Sequence, residues 1–239
     1  MSGWSYSDWQ GIFYPEGFKS TDFLQFYSKY YDCAEVNSSF YHLPRATTTQ
    51  GWVEKTPKGF MFCPKMSKYL THIKRLHEPE EPLQKFFKVF EPIKKHLGPV
   101  LIQLPPSLKF DADLVTAFFD ALKNDYSDYS FALEGRHKTW IEQDAIALLR
   151  KYGIAWVISQ SGVGYPYLEE VTSSNVYIRF HGPGKLYSSS YSDDMLRDYA
   201  LKIKKWVKDE HQIWVFFNNT MGGVALRNAD TLMKMISAK

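Results

Sequence analysis

The chain has 239 residues, of which 44% are hydrophobic and 23% are charged, and this composition excludes a globally disordered protein. Lysine and arginine (29) outnumber aspartate and glutamate (26), but so small and dispersed an excess does not by itself indicate a nucleic-acid-binding face. Two cysteines are too few for a disulfide framework or a four-cysteine zinc site, and no window approaches the roughly twenty apolar residues of a membrane span, so we expect a cytoplasmic protein with no membrane partner.

Eight short apolar runs, suited to buried strands, alternate along the chain with longer segments of helical period. This alternation is typical of a parallel sheet covered by helices, and the length suits one eight-stranded (β/α) barrel of the TIM type. We therefore predict a single α/β domain over residues 1–239. The predicted strands are residues 2–5, 33–41, 59–67, 99–104, 130–137, 154–159, 175–181 and 212–219.

The predicted helices occupy most of the connections, namely residues 21–31, a segment that begins near Thr47, 82–96, 111–124, 142–152, 193–210 and 222–237. Thr47 and Gln50 have the spacing of a capping box, and Pro92 predicts a kink near the end of the third helix. The sixth crossover, residues 161–174, is rich in glycine, proline and tyrosine. We predict an irregular loop or a short turn there.

Polar side chains recur at the carboxyl ends of the predicted strands, where barrels of this type carry their functional sites. Because side chains alternate along a strand, polar residues two positions apart point together into the barrel. We expect them to share one concave site at the mouth. They are Glu35, Asn37, Lys65, Gln103, Glu134, Arg136, Arg179, His181 and Asn218, with His72 carried over the mouth by the third βα loop.

The charged members of this set have two interpretations. Interior charge is unfavourable unless it is paired, so these residues could form an internal ion-pair network that fixes the strand register. Alternatively, a ligand site uses the same pairs. Lys65, Arg136 and Arg179 outnumber the carboxylates of Glu35 and Glu134, and this excess predicts an anionic ligand.

Two glycine-rich loops support the hypothesis that the site binds an anionic ligand. His-Gly-Pro-Gly-Lys at 181–185 follows the seventh predicted strand, and Asn-Asn-Thr-Met-Gly-Gly at 218–223 follows the eighth and opens a helix. Barrels often bind phosphate in this region through loop amides and a helix N-terminus. We therefore predict a phosphate or sulfate near Arg179, the 181–185 loop and the start of the last helix.

No metal or cofactor is predicted. The seven histidines are scattered and lack the short spacing of a zinc-binding helix. Glu35, Glu134 and His181 are the one set that could converge on a metal. The two glutamates could instead act as a general acid and a general base.

The ordered motifs of the chain resemble those of the family called domain of unknown function 72 (DUF72), or YecE-like. They are Ser-Gly-Trp-Ser-Tyr at 2–6, Glu-Val-Asn at 35–37, Lys-Met-Ser at 65–67, Thr-His at 71–72, Gln-Leu-Pro-Pro at 103–106, Glu-Gly-Arg-His at 134–137, Arg-Phe-His-Gly at 179–182 and Phe-Asn-Asn at 217–219. The resemblance implies an eight-stranded barrel related in shape to apurinic endonuclease and xylose isomerase. It implies no reaction, because none is established for the family.

Two departures from the family pattern carry expectations of their own. Only Met1 precedes the Ser-Gly-Trp motif, where family members have several apolar residues, so the first strand is expected to be truncated or the start of the sequence to be late. Gly135 stands where the family commonly has a larger residue, which predicts looser packing outside the fifth strand.

Three functions fit these residues, and the sequence leaves open whether any reaction is catalysed. The preferred one is an enzyme acting on a phosphorylated small molecule or phosphodiester, with Glu35 or Glu134 as general base and the three cations holding the anion. The second is a nucleic-acid binder without chemistry. The third is a carbohydrate hydrolase that uses the two glutamates. The rings available for stacking on a ligand are Trp4, Tyr6, Trp9 and Tyr14, and no protein partner is indicated.

Overall fold

Seven parallel strands build the sheets in the computed structural model of the protein, which describes residues 1–162 and 164–238. They are β1 (Cys33–Val36), β2 (Met61–Pro64), β3 (Val100–Gln103), β4 (Phe131–Glu134), β5 (Ala155–Ser161), β6 (Asn175–Gly182) and β7 (Gln212–Phe217). The last five form one curled parallel sheet in chain order, and β1 pairs with β2 in a second parallel sheet. The predicted α/β class is confirmed.

Helices occupy most of the connections between strands. They are α1 (Phe23–Tyr27), α2 (Ser38–Tyr41), α3 (Ala46–Glu54), α4 (Glu80–Phe90), α5 (Ala112–Asp125), α6 (Gln143–Tyr152), α7 (Asp193–Lys208) and α8 (Val224–Ser237). The Asp111 side chain caps α5 by accepting from the Leu114 amide, and Ser192 caps α7 in the same way. Across the two described ranges, no helix is both long and apolar enough to cross a bilayer.

The structure confirms some of the predictions made for helices and contradicts one. As predicted from Pro92, α4 gives way to a 3₁₀ segment (Glu91–His96), which breaks at Ile93 (φ −115°, ψ 18°). The predicted capping box is wrong. Helix α3 begins directly after Arg45 with no side-chain cap, so Thr47 lies inside its first turn. The sixth crossover is irregular as predicted, since its described residues, 162 and 164–174, form no helix.

The first predicted strand, residues 2–5, is not formed as a strand. Two backbone hydrogen bonds take its place between β7 and β1. The Ser2 amide donates to the Phe217 carbonyl (3.0 Å), and the Glu35 amide donates to the Met1 carbonyl (3.0 Å). We call this two-residue connection the N-terminal seam. The seam is too short for a strand because Gly3 leaves the extended conformation at φ +104°.

The gap between β2 and β3 is also crossed by single hydrogen bonds rather than a continuous ladder. The Gly98 amide donates to the Phe62 carbonyl (2.9 Å), and the Met66 amide donates to the Leu101 carbonyl (2.8 Å). Gly98 permits this close approach, since a Cβ at that position would meet Cys63 Sγ at 2.6 Å. These contacts tie the two sheets together on the side opposite the N-terminal seam.

The concave side of the strands is layered by residue type. Toward the strand starts it is apolar, where Cys63, Leu101, Ala132, Ala155, Val157, Tyr177 and Phe216 form a separate core cluster. Two positions further along several strands, the same face becomes polar, as at Gln103, Glu134 and Arg179. Because strand side chains alternate between faces, this layering places the predicted polar residues together at the carboxyl ends, and the larger core lies between sheet and helices.

Candidate functional site

Arg179 is the centre of a buried ion-pair network at the carboxyl ends of the strands. Its Nη2 donates to Glu35 Oε1 on β1 (2.7 Å), and its Nη1 donates to Glu134 Oε2 on β4. Glu35 also accepts from Tyr177 Oη (2.8 Å), and Glu134 accepts from Arg136 Nε (2.9 Å). Arg179 and both glutamates are almost fully buried. The network therefore joins three strands through one guanidinium, whose two Nη groups each donate to a different carboxylate.

Both glutamates of the network are held in their ionised form. Burial, the largest single influence, would raise the pKa of Glu35 and Glu134, but Arg179 and the other neighbouring donors and cations together outweigh it, so both carboxyls have a pKa below the ordinary range, Glu134 well below. Burial lowers the pKa of His181 despite the nearby Glu134 carboxylate, so the His181 ring is neutral at pH 7. His181 Nδ1 lies 3.0 Å from Asn218 Nδ2, and His181 Nε2 lies 3.6 Å from Glu134 Oε1.

A directional hydrogen-bond chain fixes a second polar group beside the network. The Thr71 hydroxyl donates to the Ser67 carbonyl (2.9 Å), so its oxygen accepts from His72 Nδ1 (2.9 Å). His72 Nε2 is then the acceptor for Gln103 Nε2 (3.4 Å), which turns Gln103 Oε1 toward Lys65 Nζ (2.7 Å). We call this set the Lys65 chain. The chain requires an uncharged His72, and burial together with the neighbouring cations lowers the pKa of His72 to about 4.

Lys65 is a buried lysine at the mouth of the strands. It follows β2 directly, its side chain is buried, and its Nζ lies 4.0 Å from the centroid of the Phe40 ring. Burial, followed by repulsion from Arg179, lowers its pKa to about 7 even though Glu134 and Glu35 act in the opposite direction. Near neutral pH the amine is therefore present in both its protonated and unprotonated forms.

A cavity of about 410 Å³ opens above these groups at the mouth of the strands. Its walls combine cations with aromatic rings and contain no carboxylate among the described residues. Arg136 retains 12% side-chain exposure and lies with its guanidinium 4.2 Å from the centroid of the Tyr165 ring. Only Nε of Arg136 is used in the network. The lining residues are Tyr6, Asn37, Phe40, Tyr41, Lys65, Lys68, His72, Gln103, Arg136, Arg179, Tyr187 and Asn218.

The structure brings together the strand-end side chains predicted for the site. Glu35, Glu134 and His181 lie beneath the cavity in the buried network. Trp4 does not line this cavity but borders a neighbouring one of about 190 Å³ together with Tyr6 and Asn37, and its ring is edge-on to Trp52 at 5.6 Å between centroids. The remaining predicted residues line the cavity, namely Tyr6, Asn37, Lys65, His72, Gln103, Arg136, Arg179 and Asn218.

Two rings proposed for nucleic-acid stacking cannot take that role. Trp9 and Tyr14 are buried and pack against core aromatic rings, Tyr14 stacked on Phe23 at 3.9 Å between centroids. Trp9 Nε1 also donates to the Thr220 carbonyl (2.9 Å). These aromatic residues near the chain start form core, because the segment folds back under the mouth instead of lying across it.

The glycine-rich loops after β6 and β7 do not offer the free amides that a phosphate site would use. The Gly182 amide donates to Tyr191 Oη (2.8 Å), and the amides of Gly184 and Lys185 both donate to Ser189 Oγ (3.0 Å). The Gly222 amide, just before α8, donates to the Asp8 carboxylate (3.1 Å). The chain's own side chains already occupy these donors, so the position predicted for phosphate at these loops is not supported.

Several lining residues were missed by sequence reasoning. Lys68, Tyr41 and Tyr187 enter the cavity from loops or short helices, and Tyr187 has positive φ (65°), which is unusual for a side chain of this size. Tyr165 lies in the irregular sixth crossover. Loop residues follow no period, so the alternation that identifies strand residues gives no signal for them. The one feature of the sequence that could have pointed to Lys68 as a lining residue is its position three residues after Lys65.

Metal-ligand geometry is not present at this site. In the described parts of the chain, no three His, Cys, Asp or Glu residues are grouped to hold an ion, and the carboxylates of Glu35 and Glu134 both face Arg179. Cys33 and Cys63 are free thiols on neighbouring strands. A second cavity of about 370 Å³ lies at the opposite ends of the strands and is mainly apolar, lined by residues such as Met61 and Trp214.

Comparison with known proteins gives one family. A family model described as "Protein of unknown function DUF72" matches residues 1–239. The UPF0759 protein YunF of Bacillus subtilis strain 168 is 25% identical over 268 residues, which cover 99% of this chain and 93% of the relative. The UPF0759 protein YecE of Escherichia coli strain K12 is 24% identical over 233 residues, which cover 85% of this chain and 79% of the relative.

Solved structures agree with this grouping. A DUF72 family protein from Thermotoga maritima MSB8 matches with a TM-score of 0.87 and 29% identity, covering 99% of this chain and 97% of that one. A DUF72 family protein from Enterococcus faecalis V583 matches with a TM-score of 0.85 and 19% identity, covering 100% and 94% of the two chains. These names state a family and no activity.

Proposed function

The chain belongs to the DUF72 family, and from this premise and the geometry of the mouth we propose that the mouth cavity binds a phosphorylated small molecule. The observation that carries the proposal is the composition of the cavity wall. Lys65, Lys68 and Arg136 line it, and none of the described residues that line it carries a carboxylate. Arg179 also reaches the wall, but both of its Nη atoms are bonded to glutamates.

The balance of charge around the cavity supports an anionic ligand. The two buried carboxylates offset the charges of Arg179 and Arg136, so the excess positive charge of the cavity wall comes from Lys65 and Lys68, while the two Nη groups of Arg136 remain as donors for a ligand. The Tyr165 ring against Arg136 fixes the plane of that guanidinium. A guanidinium held in one plane can donate two parallel hydrogen bonds to a phosphate.

The size of the cavity favours a small molecule over a polynucleotide. A volume of about 410 Å³ lies within the usual range of small-molecule sites, roughly 300 to 1,000 Å³. The rings that could have extended a stacking surface, Trp9 and Tyr14, are buried. Tyr41, which is 67% exposed at the rim, can contact an apolar part of the ligand.

The two glutamates fit a role in positioning Arg179 better than a role as acid and base. A carbohydrate hydrolase needs one carboxyl with a raised pKa as proton donor, whereas the pKa of both Glu35 and Glu134 is lowered. A carboxylate with a lowered pKa is also a weak base. We accordingly assign the ligand contacts to Lys68 and Arg136. We further propose that the fold is a (β/α)₈ barrel in which the N-terminal seam occupies the position of the first strand.

Calorimetric titration with ribose 5-phosphate tests this function. Arg136→Gln should weaken binding by about 10- to 100-fold, the scale of a charge-assisted hydrogen bond, and Lys68→Gln should weaken it less, since an exposed ammonium is screened. Lys208→Gln, at the exposed end of α7, is the matched control and should bind like the parent protein. The affinity should depend only shallowly on salt.

Two results would contradict the proposal. One is equal affinity of the Arg136→Gln and Lys208→Gln proteins for ribose 5-phosphate, measured on samples whose thermal unfolding shows that both are folded. The other is tight binding of a short single-stranded oligonucleotide with a steep salt dependence, which would indicate contacts to several phosphates.

A further inference from the structure

We propose that Lys65 is a nucleophile that forms an imine with an aldehyde or ketone group of the bound ligand. This inference rests on the proposed function and narrows its ligand class to phosphorylated carbonyl compounds. It concerns a different side chain from those assigned to the anion, so the two proposals can fail separately.

The position of Lys65 meets the geometric needs of an amine nucleophile. The Lys65 side chain lines the cavity, and its Nζ has one hydrogen-bond acceptor among the described residues, Gln103 Oε1 at 2.7 Å. An ammonium has three donors and a neutral amine has a free lone pair, so part of the nitrogen remains available to a ligand. No salt bridge to a carboxylate holds Nζ within the described chain, although Glu35 and Glu134 are close enough to influence it.

The Lys65 chain holds this amine in one place. Thr71, His72 and Gln103 orient one another in a single direction, so the Gln103 amide oxygen, and not its nitrogen, faces Lys65. Phe40 closes the other side with its ring at 4.0 Å. A nucleophile fixed in this way loses little further freedom when it attacks, and that pre-organisation is a large part of enzymatic rate enhancement.

The charges around Lys65 make its neutral form accessible. The groups that face it are Glu35 on β1, Glu134 on β4, Arg136 after β4, Arg179 on β6 and His72 on the following π-helical turn. Burial and the two arginines outweigh the two glutamates, and the pKa of Lys65 is about 7. Lysines that act through imines are activated by desolvation and neighbouring cations in this manner.

The chemical step balances without a further reactant. The lone pair of the neutral amine attacks the carbonyl carbon, and the carbonyl π electrons move to oxygen to give a carbinolamine. The carbinolamine oxygen then leaves as water, taking one hydrogen from the nitrogen and the proton that the ammonium released on becoming the neutral amine, while the nitrogen lone pair forms the C=N bond. In sum, one ammonium and one carbonyl give one protonated imine and one water, with the single positive charge conserved. The Phe40 face and Gln103 Oε1, which now contact an ammonium, can contact the iminium equally well.

Reductive trapping with pyridoxal 5′-phosphate tests the inference. This probe carries an aldehyde and a phosphate, and borohydride converts its imine into a stable secondary amine that peptide mass spectrometry locates. With one equivalent of probe, the label should fall on Lys65 and be absent from Lys65→Arg and Lys65→Met proteins. Lys68→Gln should need more probe to label Lys65, and Lys208→Gln should behave like the parent. The trapping rate should rise with pH and level off above a midpoint near 7.

The outcomes separate the two proposals. If ribose 5-phosphate binds but the label is spread over surface lysines with no preference for Lys65, the imine is refuted and the anion site stands. If pyridoxal without its phosphate labels Lys65 as readily as the phosphorylated probe, the imine stands and the anion site is refuted. Lys65→Arg keeps the positive charge, so its thermal unfolding shows whether loss of label reflects loss of the amine or loss of the fold.

Discussion

The Arg179 guanidinium holds two carboxylates from different strands in a region that water does not reach. The desolvation penalty of a buried ion pair can match its attraction, but removing one partner leaves an uncompensated charge. Arg179 therefore has a structural role that can be measured apart from any ligand. The sequence offered this ion-pair network as one of two interpretations, and the geometry supports it for Arg179 and both glutamates.

Arg179→Met should lower the free energy of unfolding by about 3 to 5 kcal/mol, because Glu35 would remain buried without a paired cation and Glu134 would keep only Arg136. Adding Glu35→Gln and Glu134→Gln to the same protein should recover part of the loss by removing both charges. The matched control is Arg197→Met, which breaks an exposed pair with Asp194 and should change stability by less than about 1 kcal/mol. Urea unfolding of the variants measures this, and equal losses for Arg179→Met and Arg197→Met would disprove the structural role.

Single site residues differ in how well the sequence predicts them. Strand residues such as Gln103 and Arg179 were predictable because alternation fixes the face to which they point. Lys68 and Tyr165 were not, because loop conformation has no period. The sequence also could not tell which cation is free, since Arg136 and Arg179 occupy similar strand-end positions. That distinction depends on carboxylates from distant parts of the chain, and only the folded structure brings them together.

At the scale of elements, the turn after β4 shows how one departure from the family pattern is compensated. Gly135 was expected to leave looser packing outside the strand. Instead, the buried Trp140 side chain occupies the space that a Cβ at Gly135 would need, and Trp140 Nε1 donates to the Leu108 carbonyl (2.9 Å). The expectation of loose packing was wrong because the partner ring lies in the following turn.

Two glycine-to-alanine substitutions should have opposite effects on stability. Gly135→Ala should destabilise the protein by about 1 to 3 kcal/mol, the usual range for overpacking a filled core, because its methyl group would meet Trp140. Gly51→Ala should stabilise it by about 0.5 to 1 kcal/mol, since Gly51 lies inside α3 with open space around it. Thermal and urea unfolding measure both variants, and a neutral Gly135→Ala would show that Trp140 moves aside easily.

The stability of the whole molecule should depend on pH through the buried groups of the mouth. The pKa of Lys65 is about 7 in the folded protein, against 10.5 for an ordinary lysine. Between these values the unfolded chain binds more protons than the folded one, so the free energy of unfolding rises with pH. The lowered pKa values of Glu35 and Glu134 act in the same direction at acid pH, where stability is lost as pH falls below about 4.5.

Urea unfolding at pH 7.5 and pH 9 measures the contribution of Lys65. The free energy of unfolding should increase over this interval with a slope of up to about 1.4 kcal/mol per pH unit, the value for one proton. Lys65→Met removes the contribution of Lys65 and should lower the slope by up to that amount, although the buried Met1 amino group, whose pKa is also lowered by burial, still contributes. Lys208→Met, at an exposed position, should leave the slope unchanged. A Lys65→Met protein with the parent slope would show that another group is responsible.

The N-terminal seam limits the order in which parts of the chain can fold during synthesis. The Ser2 amide bonds to the Phe217 carbonyl, so this contact joins residues near opposite ends of the chain and cannot form during synthesis until β7 has emerged. Until then the Met1–Ser2 segment, which bonds to β1 through the Met1 carbonyl, has no strand on its other side, and an unpaired edge of this kind is a surface on which chains associate wrongly. Contacts between such distant residues also slow folding, so closure of this seam belongs among the last steps by which the nascent chain becomes protected.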